Sequence, residues 1–151
     1  MLLLGDMDGL KQINDTLGHV EGDRALVEIA GTLRQTFREE DVISRIGGDE
    51  FAVLAIMKND RVGDVVRAIL SRLRARLATL NLPSGYRLSM SVGYAAAEAD
   101  GEVNLDLLLK QADRSLYEEK HATRLAGGAS AVDGAGTILD AAAAPTQQRA
   151  K

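Results

Sequence analysis

Two apolar runs that flank a glycine pair and two acids constrain the fold of this chain most strongly. The runs cover residues 42–46 and 51–56, and the segment between them reads Gly47-Gly48-Asp49-Glu50. Such runs around glycines predict a β-hairpin, because tight turns need the positive φ angles that glycine adopts at little steric cost. Asp49 and Glu50 then lie at the hairpin tip. Paired carboxylates are typical of Mg²⁺ sites, since this hard cation prefers oxygen ligands, and a solvated turn is the alternative interpretation.

The size and composition of the chain are those of one globular domain. It has 151 residues, 46% of them hydrophobic and 26% charged, which suffices for one core. The net charge of −4 argues against a non-specific nucleic-acid binder, which normally carries a basic excess. The absence of cysteine excludes disulfides and cysteine-based zinc sites. No membrane segment or signal peptide is predicted, so we expect a cytoplasmic protein.

The periodicity of apolar residues predicts elements in the order β-α-α-β-β-α-β-α. In chain order we expect a strand at residues 2–4, a helix at 10–17, a loop at 18–23 with Asp23 as the N-cap of a helix to about Arg38, the hairpin, a helix opened by Asn59-Asp60, a strand at 88–94 with one buried face, and a helix from 105 to about Lys120. This order predicts an α+β fold, a ferredoxin-like or palm-type sheet, rich in antiparallel pairs, with helices on one face.

A change of composition after Leu125 predicts a domain boundary. The chain becomes rich in alanine, glycine and polar residues, with little apolar surface to bury. We therefore expect a domain over residues 1–125 and a flexible tail over 126–151, with a short strand around residues 137–139.

The first predicted strand ends in acids that complement those of the hairpin. Asp6 and Asp8 are spaced i and i+2, so strand alternation places them on the same face. If the hairpin pairs beside this strand, four carboxylates converge and repel one another unless a cation is bound. Two Mg²⁺ ions held by such carboxylates activate a hydroxyl and stabilise a leaving phosphate. A helix cap together with a solvated turn is the alternative, in which Asp8 only shapes the turn.

Three motifs resemble the signatures of the GGDEF family, the diguanylate cyclases. Residues 6–23 match Asp-x-Asp-x-Phe-Lys-x-x-Asn-Asp followed by Gly-His-x-x-Gly-Asp, with Leu10 in place of the usual Phe. Residues 47–51 are the intact Gly-Gly-Asp-Glu-Phe of the family's name, and residues 112–120 match the helix motif Ala-Asp-x-x-Leu-Tyr-x-x-Lys. The motifs occur in family order over roughly residues 2–124, so the chain is identified as a member of this family.

The resemblance implies a metal-dependent active site. Asp6 and Asp49 would hold the metal ions with help from the Met7 carbonyl. Glu50 lies beside them and is assigned to metal binding or to deprotonation of the attacking 3′-hydroxyl. The implied cofactor is Mg²⁺, two ions per site, with Mn²⁺ as a substitute. Asp6, Asp49 and Glu50 are the expected catalytic residues.

The resemblance also implies a GTP site. Asn14 and Asp23 match positions that read guanine, whose adjacent N1–H and N2–H₂ donors suit a carboxylate acceptor. Gly47 and Gly48 would let the backbone approach the nucleotide closely. The expected phosphate-binding cations are Lys11, Lys120 and Arg124. For the last two, an ordinary basic helix end is the alternative.

The implied reaction condenses two GTP into cyclic di-GMP and two pyrophosphates. Each domain binds one GTP, so an antiparallel homodimer is needed at least transiently. The segment Arg38-Glu39-Glu40-Asp41 matches a family element that binds the product for feedback inhibition, through Arg38 and Asp41. A further arginine, Arg67 or Arg72, would complete it.

Departures from the family pattern keep two other interpretations open. The chain begins inside the first strand, so the usual lead-in and the upstream sensory or dimerisation domain are expected to be missing. Residues 122–124, Ala-Thr-Arg, replace the usual Gly-Arg-Asn. A module that binds GTP or cyclic di-GMP without turnover is the main alternative. A dimerisation domain with a fortuitous turn would leave the three motifs unexplained.

Overall fold

A computed structural model of the chain describes residues 1–56, 62–80, 82–97 and 104–130, with side chains up to residue 123 in the last range. In chain order the elements are β1 (Leu2–Met7), α1 (Leu10–Leu17), α2 (His19–Thr36), β2 (Val42–Arg45), β3 (Glu50–Leu54), α3 (Val62–Thr79), β4 (Met90–Ala95) and α4 (Leu105–Ser130). This is the predicted order. The predicted opening at Asn59-Asp60 and the predicted strand at 137–139 lie outside the described residues.

The strands form one sheet in the order β2-β3-β1-β4. All three neighbouring pairs are antiparallel. The hairpin of β2 and β3 lies directly beside β1, as the convergence of the acids requires. β1 occupies an interior position, which explains why its side chains are almost entirely buried. The sheet therefore carries the end of β1 and the hairpin tip at the same edge.

Both faces of this sheet are covered, so the prediction of helices on one face is wrong. Leu3 and Met7 join the core cluster that contains residues of α1, α2 and α3. Leu2 and Leu4 point to the opposite face, where they pack with apolar residues of α4. For the same reason β4 is buried on both faces rather than one. The physical cause is Gly93, because its missing side chain lets the α4 backbone lie directly on β4.

The predicted loop between the first two helices is also wrong, since α2 begins at His19. One residue, Gly18, makes the whole turn with a φ of 87°, and its N–H donates to the carbonyl of Asn14 at 3.0 Å. Asp23 therefore lies inside α2 and is not its N-cap. A glycine-rich run resembles a loop in sequence, but Gly22 is helical and buried against α1.

The last helix differs from the prediction at its C-terminal end. α4 continues to Ser130, beyond the expected end near Lys120. Up to residue 123, where the described side chains end, the buried apolar residues of α4 are Leu108, Ala112 and Leu116. None of the helices in the described ranges is long and apolar enough to span a membrane.

Candidate active site

The pairing of β1 with β3 brings the predicted acids to one place. Asp6 is the direct partner of Glu50 in the antiparallel register, so their side chains leave the sheet on the same face. The next residue continues the alignment, because the Met7 N–H donates to the Asp49 carbonyl at 2.9 Å. Glu50 is exposed and Asp49 is half-buried. The end of β1 and the hairpin tip therefore form one acidic edge that is open to solvent.

The carboxylate of Asp6 already has a cationic partner. The Nζ of Lys120 in α4 lies 2.7 Å from Asp6 Oδ2, with 14% of the Asp6 side chain and 31% of the Lys120 side chain exposed. Partial burial strengthens the attraction, although both charges lose some hydration. Two residues expected to bind different ligands, a metal and a phosphate, are thus bound to each other.

The second acid of β1 is held by the neighbouring strand. Asp8 accepts hydrogen bonds from Ser89 Oγ at 2.7 Å and Ser91 Oγ at 2.8 Å, and its N–H donates to the Ser89 carbonyl at 3.0 Å. Both carboxylate oxygens are therefore engaged. Asp8 joins the start of β4 to the turn before α1, and this geometry supports the turn-shaping alternative.

The glycine pair at the hairpin tip does not use left-handed backbone geometry, contrary to the prediction. Among the described residues only Gly9, Gly18 and Gly85 have positive φ. A Cβ on Gly47 would lie 2.4 Å from Glu50 Oε2, so this glycine makes room for the Glu50 side chain. Nothing lies within 4 Å of a Cβ on Gly48, which leaves the outer side of the turn open.

The expected guanine-reading residues lie on two adjacent helices, Asn14 on α1 and Asp23 on α2. Asn14 is half-buried, and its Oδ1 would lie 1.9 Å from a Cβ on Gly22. Asp23 follows directly on α2 and is exposed. The absence of a side chain at Gly22 therefore leaves the space that the Asn14 amide occupies against α2.

Comparison with known proteins decides the family. The family model described as the GGDEF domain of diguanylate cyclases matches residues 1–125 of this chain. The chain belongs to the GGDEF family. A probable diguanylate cyclase, DgcC of Escherichia coli K12, is 40% identical over 124 residues, which are 82% of this chain and 33% of DgcC. The diguanylate cyclase DgcP of Pseudomonas aeruginosa is 37% identical over 125 residues, 82% of this chain and 18% of DgcP.

The solved structures agree with this assignment. The GGDEF domain of DgcB from Caulobacter crescentus, crystallised with c-di-GMP, is 25% identical with a TM-score of 0.69, over 80% of this chain and 71% of that domain. The fold is thus the α+β palm-like fold of GGDEF domains. The chain spans 18% of the length of DgcP and 33% of the length of DgcC.

The remaining residues that are expected to bind the nucleotide are distributed over α1 and α4. Lys11 is exposed in the first turn of α1. The backbone of Arg124 continues α4 one turn beyond Lys120, and its side chain lies outside the described part. Lys120 is the one expected phosphate cation that the described side chains bring to Asp6.

The expected product-binding residues form the turn between α2 and β2. The Arg38 N–H donates to Asp41 Oδ2 at 2.9 Å, and the Asp41 N–H donates to the Arg38 carbonyl at 3.1 Å. The Arg38 side chain is 70% exposed, with Glu40 at 3.8 Å. Of the two candidate arginines, Arg67 pairs with Asp64 within α3, whereas Arg72 donates to the Thr36 carbonyl at the end of α2. Arg72 is therefore the one beside the turn.

The donors at the acidic edge fit a divalent metal in their chemistry. Asp6, Asp49, Glu50 and the Met7 carbonyl offer the hard oxygen ligands that Mg²⁺ prefers. Within the described ranges, no group of three or more acidic or histidine side chains is already arranged around one cation position. The ammonium group of Lys120 shows that Asp6 accommodates positive charge. A bound metal would therefore replace Lys120 at this carboxylate.

Sequence reasoning missed the side chains that support the acidic edge. Arg45 donates from Nε to the carbonyls of Gly47 and Gly48 at 3.1 Å each, and from Nη2 to Gly48 at 2.7 Å. In the predicted strand at 88–94, alternation places Ser89 and Ser91 on the exposed face and gives them no role at the site. The sequence contained two signals for these side chains. One is an arginine directly before the turn. The other is a pair of hydroxyl residues spaced i and i+2, the same spacing as the two acids of β1.

Proposed function

We propose that this chain is a diguanylate cyclase domain that condenses two GTP into cyclic di-GMP and two pyrophosphates. The observation that carries the proposal is the register of β1 and β3, which sets Asp6 opposite Glu50 and Met7 opposite Asp49. Family membership supports the same activity. Because the chain spans a minor part of its curated relatives, the proposal concerns this domain alone.

Each domain would hold one GTP through separate contacts to the base and to the phosphates. Asp23 and Asn14 would accept from and donate to the guanine edge, which carries adjacent donors that adenine lacks. Lys11, Lys120 and Arg124 would offset the charge of the triphosphate. The open side of Gly48 leaves space for the nucleotide over the hairpin tip.

The chemistry joins the nucleotides of two domains in an antiparallel homodimer. The 3′-oxygen of each GTP forms a bond to the α-phosphorus of the other, the bond to the leaving pyrophosphate breaks, and Glu50 would accept the hydroxyl proton. Bound Mg²⁺, held by Asp6, Asp49 and the Met7 carbonyl, supplies charge stabilisation when present. The protein contributes positioning and electrostatics rather than a covalent intermediate.

The test is incubation of the purified chain with GTP and Mg²⁺, followed by chromatography of the products. We expect cyclic di-GMP and pyrophosphate from the wild type and none from Asp49→Ala. Glu118→Ala is a suitable control, because this exposed α4 side chain pairs only within its helix. GTP binding without product at high protein concentration would reject the enzyme and support the alternative, a module that signals by binding.

We further propose that the product binds the turn of Arg38 and Asp41 and inhibits the enzyme. The exposed guanidinium of Arg38, the carboxylate of Asp41 and the adjacent Arg72 support this site. Added cyclic di-GMP should inhibit the wild type, and Arg38→Ala should relieve the inhibition. Arg34→Ala, which removes another exposed α2 arginine, serves as the control. Unchanged inhibition in Arg38→Ala would exclude the site.

A further inference from the structure

The second half of α4 is attached to the domain by polar contacts. Among the α4 side chains that the structure describes, the last buried apolar one is Leu116. From Tyr117 to Thr123 the described side chains are exposed or half-buried, and Tyr117 is 62% exposed. An attached helix without buried apolar contacts opens locally at low cost in free energy. Its ion pairs to other elements therefore decide where this segment lies.

In the described residues, two ion pairs connect this segment to other elements. One is Lys120 with Asp6 in β1, at 2.7 Å. The other joins Glu119 Oε1 to Arg74 Nη2 of α3 at 2.5 Å, with 26% and 55% of the side chains exposed. Arg74, Glu119, Asp8 and Thr123 also line one cleft of about 380 Å³ beside the acidic edge. The pair thus lies at a cleft that Asp8 and the start of β4 also line.

Under the proposed function, the first of these contacts would change. A metal at Asp6 would compete with the Lys120 ammonium, which would then face the phosphates of the nucleotide. The pair of Arg74 and Glu119 would then be the remaining described ion pair between this segment and α3 or the sheet. Glu119 is adjacent to Lys120, so a shift of one shifts the other.

We propose that the Arg74–Glu119 pair is a tether that positions the phosphate-binding end of α4 when Lys120 leaves Asp6. The inference rests on the proposed function, and Arg74 and Glu119 act through Lys120 without touching the substrate. The tether affects ligands that carry β- and γ-phosphates, because the proposed function places these phosphates at α4. Guanosine monophosphate lacks both phosphates and is held through its guanine by Asn14 and Asp23, so its affinity should not change.

The experiment compares variants of the full chain by calorimetry with a non-hydrolysable GTP analogue and with GMP, in the presence of Mg²⁺. Arg74→Ala and Glu119→Ala should each lower the affinity for the triphosphate analogue by up to about five-fold, the range expected for one exposed ion pair. The affinity for GMP should stay unchanged. The combination of Arg74→Glu with Glu119→Arg should restore affinity. Arg114→Ala removes an exposed i,i+4 pair within the same helix and should change neither ligand.

Amide hydrogen exchange of the ligand-free chain gives an independent measurement. Arg74→Ala should accelerate exchange over residues 117–123 and leave residues 108–116 unchanged. Unaltered exchange and unaltered affinity for the analogue in Arg74→Ala would overturn the tether, as would a charge swap that fails to restore either. If the wild type binds no GTP analogue, the proposed function fails, while the exchange measurement still tests the tether.

Discussion

Replacement of Gly22 by alanine should separate the stability of this domain from its recognition of guanine. A Cβ at this position would lie 1.9 Å from Asn14 Oδ1 and 2.9 Å from its Cγ. Contacts of a real Cβ below 3.0 Å essentially do not occur, so the Asn14 amide must move by about 1 Å or more. Gly22→Ala therefore displaces the amide that is proposed to read guanine.

The expected free-energy changes have opposite signs. Glycine in a helix costs roughly 0.5–1 kcal/mol relative to alanine, so the substitution favours α2 by up to that amount. Forcing Asn14 away from its preferred rotamer costs about 0.5–1.5 kcal/mol, which cancels or exceeds the gain. One neutral hydrogen bond to guanine is lost, and this lowers the affinity for GTP by about three- to ten-fold.

Gly31→Ala is the matched control, because Gly31 lies in the same helix and a Cβ there meets nothing within 4 Å. It should raise the free energy of unfolding by about 0.5–1 kcal/mol and leave GTP affinity unchanged. Urea denaturation and calorimetry with a non-hydrolysable GTP analogue measure both quantities. Gly22→Ala that binds the analogue as tightly as Gly31→Ala would refute the guanine-reading role of Asn14.

Two further substitutions test the packing of the site. Gly93→Ala should lower the free energy of unfolding by about 1–3 kcal/mol, measured by urea denaturation. The new Cβ would lie 2.1 Å from the Leu116 nitrogen and must displace the backbone of α4. A change below about 0.5 kcal/mol would contradict this packing. Arg45→Ala should reduce the rate of cyclic di-GMP formation, because it releases the carbonyls of the exposed turn. The free energy of unfolding should change by less than about 1 kcal/mol. An unchanged rate would show that the turn holds its shape without Arg45.

The order of elements and the hairpin could be predicted from the sequence because both depend on local periodicity. The apolar runs around the glycine pair identify β2 and β3, and the acids at Asp6 and Asp49 indicate which ends must meet. The expectation that the hairpin lies beside β1 is confirmed by the register. These features depend on which residues are apolar and how they are spaced, information that a single sequence contains.

Features that depend on close packing could not be predicted in the same way. Gly22 resembles a loop residue and is a helical packing site, and Gly47 resembles a left-handed turn residue but makes room for Glu50. Gly93 resembles an exposed strand position, but the backbone of α4 packs directly against it. The pair of Lys120 and Asp6 joins opposite ends of the chain. In each case the cause is a neighbour that is remote in sequence, or the rotamer of a side chain. The periodicity of apolar residues reveals neither.

The most direct test of the account is the rate of cyclic di-GMP formation as a function of protein concentration. If the acidic edge is half of an active site completed by a second copy, the rate per chain should rise with concentration in the range where light scattering detects monomers, and Asp49→Ala should abolish it. A chain that binds GTP but yields no product at any concentration would contradict the account. So would a rate per chain that stays constant where the protein is monomeric.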